Sequence, residues 1–215
     1  MPLTLNPSDS AISKKEHRVK ALIRTLHIAS LSMGGILLLA QLQGCVGVVA
    51  VGGAGAAVAV DRRSAGTIVD DEAIELKASQ AIYNDDDLGK QAHINITSYN
   101  NIVLLSGETP TAAMRNRAVD IARHVEKVRK VYNEIVVAQP TAMKSRSEDT
   151  WITTEVKTKL VGIKEISAAN VKVITENHAV YMMGIVSHAE ANTAAEAARS
   201  IEGVTRVITL FEYLD

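Results

Sequence analysis

The sequence predicts an α+β protein built from two copies of one small unit, helix–strand–strand–helix–strand. Three observations carry that expectation. Ile94 to Gly107 aligns without a gap on Val171 to Gly184. In each copy a polar pair, Asn100-Asn101 or Asn177-His178, interrupts β-branched, alternating residues, the pattern of two strands joined by a tight turn. An apolar stripe at helical spacing precedes each hairpin: Ile74, Ala78 and Ile82 in the first copy, Ile152, Val156 and Leu160 in the second.

The remaining elements follow in order. Asp71 and Asp149 stand just ahead of the two stripes and are expected to cap the helix starts. Alanine-rich helices are expected near 112–125 and 189–201, and closing strands at 130–138 and 206–213. A unit of about 65–70 residues buries a thin core, so the two copies are expected to pack on each other or on another surface.

The region before the repeats carries a different signal. Lys14, Lys15, Arg18, Lys20 and Arg24 precede an apolar run from Leu26 to Ala40, the shape of a secretory leader. The run is short for a spanning helix, which needs roughly 20 apolar residues. Leu42-Gln43-Gly44-Cys45 is similar to a bacterial lipobox, and Cys45 is the chain's single cysteine. Cys45 is therefore expected to carry a covalent lipid, with 1–44 removed as a signal peptide; an uncut signal anchor is the alternative. Lipoproteins held at the inner membrane usually have aspartate after the cysteine. Val46 in that place implies transfer to the outer membrane, facing the periplasm. Residues 45–70 then form an apolar, glycine-rich tether and a polar linker.

Five of the 23 basic and two of the 24 acidic residues lie before Cys45, which leaves a net charge of about −4 for the rest. Such a balance excludes a general polyanion binder, and no nucleic-acid partner is expected. Without a second cysteine there is no disulfide, so the fold rests on burial.

Several stretches together resemble the BON-domain family, and specifically its two-domain outer-membrane lipoproteins. They are Leu42 to Cys45, Arg63 to Thr67 with Val69 to Asp71, Val131 to Ile135, Asp149 to Thr154, and Asn170 to Val173 with Thr175 to Asn177. The resemblance implies two tandem domains, 71–139 and 149–215, joined by a linker at 140–148. Each would be a three-stranded mixed sheet with two helices on one face and a glycine, Gly107 or Gly184, closing the second strand. It further implies binding of anionic phospholipid, chiefly phosphatidylglycerol, through the first helix of the second domain, and roles in envelope integrity and at the division site.

That helix can be read independently. With about 100° per residue, Ile152, Val156 and Leu160 form the core face, and Trp151 points away from it. Glu155, Thr158 and Gly162 fall within about 40° of Trp151, with Thr154 and Val161 beside them. An indole at such a place suits a membrane interface. A nearby helix N-terminus, with Lys157 and Lys159, would favour a phosphate. The phospholipid-contact candidates are thus Trp151, Thr154, Glu155, Lys157, Thr158, Val161 and Gly162. A cap over the helix start, or a contact between the domains, is the other reading of Trp151. In the first copy Ala73 stands where Trp151 does, so the copies are expected to differ in function.

No catalytic constellation is evident and no enzyme is expected. His93, His124, His178 and His188 lack metal-ligand spacing, and Asp85-Asp86-Asp87 lacks the rest of a calcium loop. No metal or other cofactor is expected. Envelope proteins are possible partners, and the oligomeric state is open.

Overall fold

The computed structural model describes residues 61–141 and 143–214. Cys45, the leader and the tether up to residue 60 lie outside them. Among the described residues no helix is long and apolar enough to cross a membrane.

The two copies are built alike. The first runs α1 (Ala65–Tyr83), a short α2 (Leu88–Gln91), β1 (His93–Tyr99), β2 (Ile102–Thr109), α3 (Ala112–Arg123) and β3 (Lys130–Val137). The second runs α4 (Met143–Val161), a 3₁₀ turn (Ala168–Asn170), β4 (Val171–Glu176), β5 (Ala179–Val186), α5 (His188–Arg199) and β6 (Arg206–Tyr213). In each sheet the second strand is central, antiparallel to the first and parallel to the third. The crossover helix α3 or α5 makes that parallel pairing possible, since parallel neighbours need a long connection.

Every residue of β2 is buried, and all but one of β5. Alternation explains it. Val103 and Leu105 on β2 pack under the helices with Ile74, Ile82, Ala118 and Ala122. Val180, Met182 and Val186 on β5 do the same with Ile152, Val156, Leu160, Ala194 and Ala198. The opposite faces meet each other. Tyr99, Ile102 and Leu104 pack with Ala179, Tyr181, Met183 and Leu210 in a third apolar cluster. The two domains therefore join sheet to sheet, and each supplies the cover the other lacks. Polar contacts flank this seam: Arg129 to Glu212 (2.9 Å), Lys172 to Glu75 (2.7 Å), and Asn95 Nδ2 donating to Glu176 (2.6 Å).

Two expected N-caps have another function. α1 begins at Ala65, capped by Ser64, whose hydroxyl accepts from Thr67 N. α4 begins at Met143, inside the stretch read as linker. Asp71 and Asp149 thus sit in helix interiors, buried, and hold the hairpins. Asp71 accepts from Asn100 N, Asn101 N, Ser98 Oγ and Arg63 Nη1, all at 2.7–2.8 Å. Asp149 accepts from Asn177 N and His178 N, both at 2.8 Å. All four turn residues have positive φ, between 49° and 62°. This is the turn that matches strand twist, and it leaves two amide donors pointing at one carboxylate. Replacing Asp71 by alanine strands those donors and Arg63, and is expected to cost about 3–5 kcal/mol. Asp149→Ala, with fewer partners, should cost less; equal denaturation midpoints for the two variants would contradict this account.

Arg62, just ahead of α1, ties the first domain's entry to the second domain. Its guanidinium forks onto Glu190 at 2.8 and 3.0 Å, and Glu190 also closes a capping box with Ser187. The Arg62 fork, helped by the Ser187 hydrogen bonds and opposed by burial, holds the Glu190 carboxyl down to about 2. A folded value below the ordinary 4.5 gives stability that is full above pH ~4.5 and lost as pH falls toward 2. The thermal midpoint of Arg62→Ala is therefore expected to fall less steeply than wild type over that window.

Candidate membrane-contact site

α4 has two faces of opposite character. Ile152, Val156 and Leu160 are buried against β4, β5 and α5, as their spacing predicts. Trp151 lies off that stripe and is 50% exposed; Val161, at the helix end, is 75% exposed. Between them Thr154 and Thr158 are exposed, Glu155 is half-buried and Gly162 is exposed just past the last turn. The Thr154 hydroxyl donates to Thr150 O at 2.9 Å, and the Thr150 hydroxyl to Arg146 O at 2.9 Å. These two hydroxyls are thus tied to the helix's own backbone. What remains outward is an indole and a valine on a surface of small residues.

The electrostatic part of the expectation changes. Because α4 starts at Met143, Trp151 lies eight residues in, about 12 Å from the helix N-terminus. The helix dipole acts within the first turn, so it contributes nothing at the indole. Lys159 donates to Ser200 Oγ and is drawn to the side. Lys157 is exposed and lines a cavity of about 510 Å³ beside α4, together with Thr154. The structure thus gathers Trp151, Thr154, Thr158, Val161 and Gly162 on one outward surface, and separates Lys157 and Lys159 to its two flanks.

The corresponding helix of the first domain presents a different surface. Val69, Leu76 and Tyr83, seven residues apart, are 66%, 59% and 77% exposed. Seven residues is close to two helical turns, so the three form a line. Their spacing in the sequence was the available signal, masked by the stronger core stripe beside it.

The cavity next to α4 reaches the seam between the domains and brings together residues no local pattern connects. His93 of β1 and Glu176 of β4 line it, and Glu108 of β2 lies buried close to both, with one atom of each of the three within 4.8 Å of the others. Burial pushes the Glu176 carboxyl up to about 7, against the hydrogen bond from Asn95, with Glu108 and Asp149 adding repulsion. Burial and the nearby Arg146 charge lower His93, while Glu108 opposes them. Of the three consecutive aspartates, Asp85 is structural: it accepts from Asp87 N and Leu88 N at 3.1 Å and pairs with Arg117 at 2.6 Å.

Comparison with known proteins agrees with this architecture. The BON domain family matches residues 70–139 and 148–215. Outer membrane lipoprotein DolP of Haemophilus influenzae is 43% identical over 175 residues, which is 81% of this chain and 91% of that protein. A 21 kDa hemolysin of Actinobacillus pleuropneumoniae is 43% identical over 155 residues, 72% of this chain and 80% of the relative. Osmotically-inducible protein Y of Escherichia coli is 31% identical over 157 residues, 72% of this chain and 78% of the relative.

Proposed function

This chain belongs to the BON-domain family, with two copies in tandem, and from that premise we propose that it is an outer-membrane lipoprotein, anchored through Cys45 and facing the periplasm, whose second domain binds anionic phospholipid through the outward face of α4. The observation that carries the reading is the half-exposed Trp151 on the side of α4 opposite its core stripe. An indole is favourable at a bilayer's interface, where its ring is buried and its N–H stays wet. The name of the Haemophilus relative supports the location. The anchor gives permanent attachment, and the tether raises the local lipid concentration, so weak headgroup affinity suffices to select a membrane region. Support of envelope integrity and enrichment at the division site would follow from that selection.

Flotation of the unlipidated 61–215 fragment with vesicles tests this directly. Capture by phosphatidylglycerol vesicles, none by zwitterionic ones, and loss at high salt are expected. Capture by neither would favour the second reading, a protein-interaction scaffold of an envelope assembly or stress-response machine. The line of Val69, Leu76 and Tyr83 on α1 is the observation that favours it, because exposed apolar rows mark contact surfaces.

A further inference from the structure

We propose that His93, Glu108 and Glu176 form a binding site for a divalent transition-metal cation, with zinc the best match, that clamps the two domains across their seam. Among the described residues these three each offer one ligand atom, and all three atoms lie within 4.8 Å of one another. One imidazole and two carboxylates are a zinc-type donor set. Metal–ligand distances of about 2.0–2.2 Å set the edge of a tetrahedron at roughly 3.4 Å. His93 Nε2 and Glu176 Oε1 already stand 3.5 Å apart. The Glu108 ligand atom lies within 4.8 Å of both, so closing the third corner needs a shift of about 1 Å. The cavity beside α4, lined by His93 and Glu176 of the three, supplies an entry path and room for a water as fourth ligand.

The surroundings match a metal site as well as the ligands do. Asn95 Nδ2 donates to Glu176 Oε2 at 2.6 Å, which turns the other oxygen toward His93. Thr141 N donates to Glu108 Oε2 at 3.3 Å. Such outer partners orient ligating carboxylates. A separate observation points the same way. Ser106 is 1% exposed, and among the described residues its hydroxyl has no hydrogen-bond partner. It shares the face of β2 with Glu108, two residues away, and pairs with Asn95 in register. A buried hydroxyl without a partner is costly, and a metal-bound water would satisfy it. Two of the three ligands are buried carboxylates, a charge set that favours a cation, while Arg146 and Lys157 on the cavity wall oppose it. Because His93 and Glu108 come from the first domain and Glu176 from the second, a bound ion would join them directly.

The test uses the untagged, lipidated full chain in detergent, stripped with chelator and dialysed against Zn²⁺. One equivalent of retained zinc, a higher thermal midpoint, and at least tenfold weaker binding in both His93→Ala and Glu108→Gln are expected, with His124→Ala unchanged. Cobalt substitution of the wild-type chain needs no variant, and should give the visible absorption of a tetrahedral site. Absence of stoichiometric zinc, equal binding by His93→Ala, dependence on His124, or a cobalt spectrum identical to the free aqueous ion would each overturn the site.

Discussion

A Trp151→Glu variant is expected to lose capture by anionic vesicles by more than about a hundredfold while unfolding at the wild-type temperature. The magnitude follows from two effects. A half-exposed indole leaves roughly 100 Å² to bury at the bilayer, worth about 2 kcal/mol. A carboxylate brought to an anionic surface adds about 1 kcal/mol of repulsion. About 3 kcal/mol in total corresponds to slightly more than two decades in affinity. The fold should change little, because Trp151 is half-exposed and outside its domain's core cluster, and exposed substitutions stay within about 0.5 kcal/mol. Trp151→Phe keeps an apolar ring and should retain most binding. In cells the lipidated Trp151→Glu protein should remain attached to the membrane, since attachment belongs to Cys45, but spread evenly. Unchanged capture and unchanged distribution of this variant would remove α4 as the lipid-contact element.

The second large effect is expected at the glycines that close the central strands. A Cβ on Gly107 would lie 2.1 Å from the His93 carbonyl oxygen, and one on Gly184 would lie 2.3 Å from that of Asn170. Both obstacles are backbone, so relief requires moving the start of β1 or β4 away from its central strand. Gly107 also has φ +110°, where an L side chain is strained in any surroundings. Gly107→Ala is therefore expected to cost about 3–5 kcal/mol, and Gly184→Ala somewhat less. For a domain pair of this size that is a fall of roughly 10 °C or more in thermal midpoint. Because the strands carry the seam as well as each core, loss in one domain should destabilise its neighbour. A Gly107→Ala protein that melts within about 2 °C of wild type would show that β1 can withdraw without cost.

Much of this was legible in the residues. The gapless repeat of Ile94 to Gly107 in Val171 to Gly184 gave both hairpins, and positive-φ turns at Asn100-Asn101 and Asn177-His178 are what such polar pairs imply. Four-residue spacing assigned Ile152, Val156 and Leu160 to the core and turned Trp151 outward. Those are local periodicities, and local geometry decides them. The helix starts were misplaced for an equally local reason. Asp71 and Asp149 have the chemistry of caps, but Ser64 already caps α1 and α4 runs back to Met143, leaving each carboxylate free to reach a hairpin far along the chain.

Other features depended on contacts between distant segments. Ile102 to Leu105 is apolar on both faces, which tells that both are covered but not by what. Only the folded chain shows that one cover is the other copy's sheet, through Tyr181, Met183 and Leu210. The meeting of His93, Glu108 and Glu176 has the same origin: each lies on a different strand, and the third comes from the other domain. Periodicity along one element reports which side of it avoids water. Which partner fills that side, and which charged groups are left facing one another where two such sides meet, is set by how the sheets dock.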